Sequence, residues 1–235
     1  MPPQNFIDLS LPLDASTQVY PGDPLFSNTP HASFEKDGYS VRHLSLGTHT
    51  GTHIDAPYHF IAEGQTIDKT PLDQLVSEAS VVDLSQGPVG GLTPRERITW
   101  ARLEPYIEKS SLQPGHILLI NTGWSKLYYA TDKYLHHPYF APEVAHQLLS
   151  LGVKVVGTDT LSPDETLGSA GGDGFGFHEA FLGAGGVIAE NLTNLEALIE
   201  ARNRNSPDGV WMVSLVPLRL IGADGSPVRA FAYSI

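Results

Sequence analysis

Three histidines and one carboxylate fall within eleven residues: His49-Thr-Gly-Thr-His53-Ile-Asp55-Ala-Pro-Tyr-His59. Imidazole and carboxylate both ligate borderline divalent ions such as zinc or manganese. Together they point to a metal-dependent hydrolytic site. Neither regular element alone serves this spacing. A helix puts His49 and His53 on one face but turns Asp55 away, and Gly51 and Pro57 oppose it. A strand puts the odd-numbered residues on one face, yet His49 and His53 would lie roughly 13 Å apart at about 3.3 Å per residue. Ligand bonds of about 2 Å do not bridge that gap. His53 and Asp55, about 6.6 Å apart on the same rise, can converge. The spacing therefore predicts a bulged or turned strand-to-loop segment that bends near Gly51.

A second group lies at Phe177-His178-Glu179, followed by Gly183-Ala-Gly-Gly186 and Val187-Ile-Ala-Glu190-Asn191. The glycines permit tight turns that could bring His178 and Glu190 together. Glu190 ends an apolar run, and a carboxylate at the end of a buried strand needs a cation to offset its desolvation. Other histidines, His31, His43, His116 and His146, read as surface or core-capping residues. His136-His137-Pro138-Tyr139 reads as a solvated turn, and Trp124 as a core or surface aromatic. Gly171-Gly-Asp-Gly174 reads as a flexible loop that could cover a site.

These residues need a scaffold of short elements. Phe6–Leu13 alternates as an opening strand, and Tyr20-Pro-Gly-Asp-Pro24 is a turn. Val41–Gly47 runs as a strand into the histidine cluster, and Val81–Ser85 is another. Thr93-Pro-Arg-Glu96 has the form of a capping box and predicts a helix ending before Pro105. His116–Asn121 is a buried strand. Pro142–Leu151, Gly152 and Val153–Gly157 read as helix, stop and strand. Leu192–Ala201 is helical, and Val210–Leu220 and Ala230–Ile235 are closing strands joined through Gly222-Ala-Asp-Gly225. The expectation is a single α/β domain over residues 1–235, with a mixed, partly barrel-like sheet and few helices.

Composition narrows the function. The chain has 235 residues, 14 basic against 26 acidic, for a net charge of −12. With no basic run, nucleic acid is not an expected partner. Cysteine is absent, which excludes disulfides, cysteine zinc sites and thiol nucleophiles. No apolar run spans a bilayer, and the residues after Met1 have neither a basic start nor an apolar stretch. A cytoplasmic location is the expectation.

The pattern His49-x-Gly-Thr-His53-x-Asp55-x-Pro-x-His59 resembles the signature of the cyclase superfamily of metal hydrolases, whose members include bacterial kynurenine formamidases (arylformamidases) and isatin hydrolases. Tyr20-Pro-Gly-Asp-Pro24, Asn121-Thr-Gly-Trp124, Val156-Gly-Thr-Asp159, the pair His178 and Glu190, and Gly225-Ser-Pro-Val-Arg229 extend the resemblance over nearly the whole chain. The resemblance implies a swivelling β/β/α fold, a homodimer and two divalent ions, zinc or manganese. It implies that His49, His53 and Asp55 ligate one ion, that Asp55 reaches both, that His178 ligates the second, and that Glu190 is a carboxylate shared by the pair. His59 matches the proton donor and acceptor. Tyr20 falls where formamidases of the family often carry a substrate-stacking tryptophan. The expected activity is hydrolysis of an amide-type carbonyl in a small molecule by metal-activated water. A lactone hydrolase or cyclase of the same fold, or a metal-containing binding protein without turnover, are the alternatives.

Overall fold

Ile117-Leu-Leu-Ile-Asn121 is buried along its whole length. A strand that is apolar on both faces has to be covered twice, and this requirement organises the molecule. The computed structural model describes residues 5–86, 91–107, 110–166, 173–204 and 209–235. In chain order the strands are β1 (Phe6–Asp8), β2 (Ser27–Ala32), β3 (Val41–Ser45), β4 (His53–Asp55), β5 (Val76–Asp83), β6 (Arg97–Ile98), β7 (Ile117–Asn121), β8 (Tyr139–Phe140), β9 (Val155–Thr158), β10 (Val187–Glu190), β11 (Trp211–Ser214), β12 (Gly225–Pro227) and β13 (Phe231–Ser234). The helices are α1 (Phe34–Asp37), α2 (Leu72–Leu75), α3 (Trp100–Ile107), α4 (Trp124–Tyr128), α5 (Pro142–Ser150), α6 (Gly176–Gly183) and α7 (Leu195–Arg204).

Nine strands form one curled sheet in the order β1-β13-β11-β5-β7-β9-β10-β4-β12. Its centre, β5-β7-β9-β10, is parallel, and the flanks are antiparallel. Alternation sorts the side chains into two cores. Ile117, Leu119, Val155, Val187, Ala189 and Ile54 pack with Leu195 and Leu198 of α7. Leu118, Ile120, Val156 and Ile188 pack with Leu103 of α3, Val144 and Leu148 of α5, and Phe177 and Phe181 of α6. Helices thus cover both faces, as a parallel centre requires. Among the described residues no helix is long and apolar enough to cross a membrane.

Several elements differ from the sequence-based expectation. The opening strand stops at Asp8. Thr93 and Glu96 do bond, from the Thr93 N–H (2.8 Å) and hydroxyl (2.9 Å) to Glu96 Oε2, but no helix begins there. Arg95 is left-handed (φ 56°), its N–H donates to the His136 carbonyl, and its guanidinium reaches Glu165. These long-range bonds override the local cap and lead into β6. The helix begins instead at Trp100 and contains Pro105. The strand expected over Val210–Leu220 is only β11, because β12 leaves its neighbour and pairs with β4. β2 and β3 form a separate hairpin, exposed at every position but Ala32.

Candidate metal and catalytic site

β4 is three residues long, and Ile54 fills the core beneath α7. Its neighbours His53 and Asp55 must therefore project to the other face. β10 does the same from the opposite direction: Ile188 packs toward α6, and Glu190, two residues on, shares its side. The antiparallel register sets Glu190 opposite His53 and Ile188 opposite Asp55. Just upstream the chain bends at Gly51 (φ 64°), which returns His49 to the same centre. Downstream, a single 3₁₀ turn over Pro57–His59 presents His59. His178 arrives from α6, which packs on β10. The two separated sequence groups meet.

Each of three imidazoles is held at one nitrogen and turned inward at the other. His53 Nδ1 donates to the Gly51 carbonyl (2.7 Å), while Nε2 lies 3.2 Å from both Asp55 Oδ1 and Glu190 Oε2. His178 Nδ1 donates to Asp164 Oδ2 (2.6 Å), while Nε2 lies 3.2 Å from Glu190 Oε1 and 3.6 Å from Asp55 Oδ2. His49 contacts Asp224 Oδ2 through Nε2 (2.9 Å) and Asp55 Oδ1 through Nδ1 (2.7 Å). Carbonyl or carboxylate support of this kind fixes the tautomer and orientation of metal-ligating histidines. His59 Nδ1 lies 3.4 Å from Asp224 Oδ2, and its ring sits 3.9 Å from that of His49.

The donor set fits a divalent ion. Among the described residues, His53 Nε2, Asp55 Oδ2 and Glu190 Oε1 are buried with no hydrogen-bond partner. Orphaned buried polar atoms are rare unless an ion or water completes them. Neighbouring donors bonded at about 2.1 Å to one ion lie about 3–3.4 Å apart, close to the separations around these atoms. His53, Asp55 and Glu190 form one group able to hold an ion, and His49, Asp55 and His59 another, sharing Asp55. The electrostatics agree. Burial alone would depress the histidines, but Asp55 and the other carboxylates outweigh it, raising His49 to about 9 and His53 to about 10. Asp55, though burial opposes its ionisation, is held well below the usual carboxylate range by His53 and His49. The centre attracts positive charge, and a divalent cation meets that demand.

A cavity of about 220 Å³ opens over these residues, lined by Tyr20, Asp23, His49, His59, Phe60, Ser162, Phe175, His178 and Glu190. Tyr20 thus stands on its wall. Trp124 does not; it is buried and donates to the Tyr134 carbonyl. His31, His43 and His146 are exposed, and His116 bonds Ser80 away from the site. His137 is neither solvated nor in the cavity, but buried against Thr166. Gly171 and Gly172 of the expected covering loop lie outside the described residues. Sequence reasoning missed Asp164, Asp224, Phe60 and Phe175. Asp224 sits in what reads as an ordinary Gly222–Gly225 turn, and only its position before the Gly225-Ser-Pro segment marked it. Asp164 accepts from the Phe177 and His178 backbone N–H groups, so it caps α6 as well as supporting His178.

The Cyclase family model matches residues 7–165. Two kynurenine formamidases, from Salinibacter ruber and Geobacillus thermodenitrificans, are each 32% identical to this chain, covering 95% and 96% of it and 95% of their own length. Among solved structures, isatin hydrolase A from Ralstonia solanacearum superposes with a TM-score of 0.82 at 24% identity, over 97% of this chain and 91% of that one. A structure described as a potential metal-dependent hydrolase with cyclase activity does so at 0.71 and 25% identity, over 98% of each chain. With the convergent histidine–carboxylate centre, the match across most of the chain identifies it as a member of the cyclase superfamily of metal-dependent hydrolases.

Proposed function

We propose that this protein, acting as one domain over residues 1–235, hydrolyses the C–N bond of an aryl amide, either an N-formyl arylamine or a cyclic amide such as isatin. The observation that carries the reading is the meeting of His53, Asp55, His178 and Glu190 around buried, unpartnered donor atoms beneath an aromatic-walled cavity. In this reading His49, His53 and Asp55 would hold one ion of zinc or manganese and His178 would serve a second, with Asp55 and Glu190 shared between them. When bound, such ions supply a Lewis acid and a water acidified from about 15.7 to about 7. Tyr20 and the other rings stack on the aryl group and exclude solvent. His59 carries a proton from the attacking water to the departing nitrogen, the work of a general acid–base. Asp224, 3.4 Å from His59 Nδ1, would steady the ring for that role. That curated relatives 32% identical to this chain are kynurenine formamidases supports the amide reading over lactone chemistry or simple binding.

The test is elemental analysis of gently purified protein, paired with turnover of an N-formyl arylamine, isatin and a simple lactone. Two ions per chain and amide hydrolysis are expected. Asp55→Asn should lose metal and activity together. His59→Ala should keep its metal and lose about 10²–10⁴-fold in turnover. Metal-loaded protein that opens the lactone and spares every amide would overturn the reading. Loss of metal from His59→Ala would make His59 a ligand. The exposed β2–β3 hairpin further supports pairing with a second copy of the chain, since an isolated two-stranded hairpin is at best marginal in water.

A further inference from the structure

We infer that the cavity is selective for a substrate carrying a positive charge beside its aryl amide, read by Asp23 and the surrounding rings. This deepens the proposed amide hydrolysis and rests on it. The turn at Pro21-Gly22, closed by the Asp23 N–H to the Tyr20 carbonyl (3.0 Å) and with Gly22 at φ 106°, sets Tyr20 and Asp23 together on the cavity wall. Among the described residues the Asp23 carboxylate makes no ion pair and accepts no hydrogen bond. It is a half-buried acceptor facing the space a substrate must enter.

The rest of the wall points the same way. Tyr20 and Phe175 lie 6.3 Å apart between ring centroids, and Phe60 and Phe175 5.2 Å apart. Ring faces attract cations, most strongly where water is displaced. Among the described residues no lysine or arginine lines the cavity, so a substrate carboxylate finds no fork or ammonium there to receive it. The floor does not reverse this balance. Asp55, Asp164, Glu190 and Asp224 all contact the imidazoles of the centre, where the proposed ions would sit. What remains uncompensated is Asp23. The favoured substrate is therefore an aryl amide with an ammonium group and no free carboxylate, its carbonyl toward His59 and its charge toward Asp23.

Formanilides of equal size bearing an aminomethyl, a hydroxymethyl or a carboxylate substituent test this directly. The wild-type protein should favour the ammonium over the neutral substrate by about five- to tenfold in kcat/KM, the scale of one partly exposed charge contact. The carboxylate should fall below both. Asp23→Asn should bring the ammonium-to-neutral ratio close to one, and Asp23→Glu should retain most of it. A ratio unmoved by Asp23→Asn, or a wild-type preference for the carboxylate, overturns the inference. Binding of benzyltrimethylammonium and of its uncharged carbon isostere, measured by calorimetry, reads the same preference without turnover. If the cation binds more tightly in an Asp23-dependent way while no formanilide is hydrolysed, the charge selectivity stands and the amide reading fails.

Discussion

His137 and Asp159 are both buried, and burial moves them in opposite senses. His137 donates from Nδ1 to the Pro138 carbonyl and accepts at Nε2 from the Thr166 hydroxyl, leaving no place for a second proton. Burial lowers its pKa to about 4. Between the ordinary value of about 6.5 and that figure, the unfolded chain binds a proton that the folded one refuses. Stability from His137 is thus complete above pH 6.5 and lost as pH falls toward 4, by about 3 kcal/mol. Asp159 has donors from Thr122 and Ser125, yet burial prevails and raises it to about 6. Here the folded chain takes the proton first, so stability increases as pH falls from about 6 to about 4. The two contributions oppose one another over the same window. Urea midpoints compared at pH 6.5 and pH 4.5 should show Asp159→Asn losing more stability on acidification than the parent and His137→Gln losing less. Equal shifts in both variants would mean that neither group titrates there. Nothing in His136-His137-Pro138-Tyr139 distinguished the buried ring from a solvated one, because the distinction depends on Thr166, a residue brought up from a distant loop.

At the level of elements, the site rests on where strands stop. Gly225 pairs with Asp55, and a methyl group there would meet the Ile54 carbonyl at 2.8 Å and His49 Cε1 at 2.9 Å. Relief of the first contact strains the β4–β12 ladder, and relief of the second displaces the His49 ring. Gly225→Ala should lower stability by about 1–3 kcal/mol, the usual effect of overpacking, and should weaken divalent-ion affinity as well. Thermal denaturation and metal titration of the variant check both, and an unchanged metal affinity would free His49 from this constraint. The bend at Gly51, the helix–glycine–strand run through Gly152 and the strand at Ile117–Asn121 were all legible, because each is decided by residues close in sequence. The false helix start at Thr93 was not, since Arg95 answers to His136 and Glu165 rather than to its neighbours. Nor was β12: its partner lies about 170 residues earlier in the chain, and no local pattern announces such a pairing. The cluster His49, His53, Asp55 and His59 stood out by residue type and spacing, while the division into ligands and proton carrier came only from the resemblance. Asp164 and Asp224 could not, because their importance comes only from the rings they touch.

Over the whole molecule, one of the parts the helices leave uncovered is the β2–β3 region. The β2–β3 hairpin and its connection expose Leu25, Phe34, Tyr39, Val41 and Leu44. Apolar side chains collected on a thin two-stranded arm are a surface for another protein rather than for water, and a second copy is the proposed occupant. Light scattering should give twice the chain mass, and the double substitution Val41→Glu and Leu44→Glu should reduce it to one. A parent protein that is monomeric at micromolar concentration would remove the hairpin from this role. The sheet order carries a further consequence. β4 is made early, yet it pairs only with residues 188–190 and 225–227. At about 5–20 residues per second, roughly 7–34 s of translation separates His53 and Asp55 from the strands that pair with them. Through that interval the nascent polypeptide carries His53 and Asp55 without the strands that oppose them, and the proposed cation centre is assembled only once residues 188–190 and 225–227 have emerged.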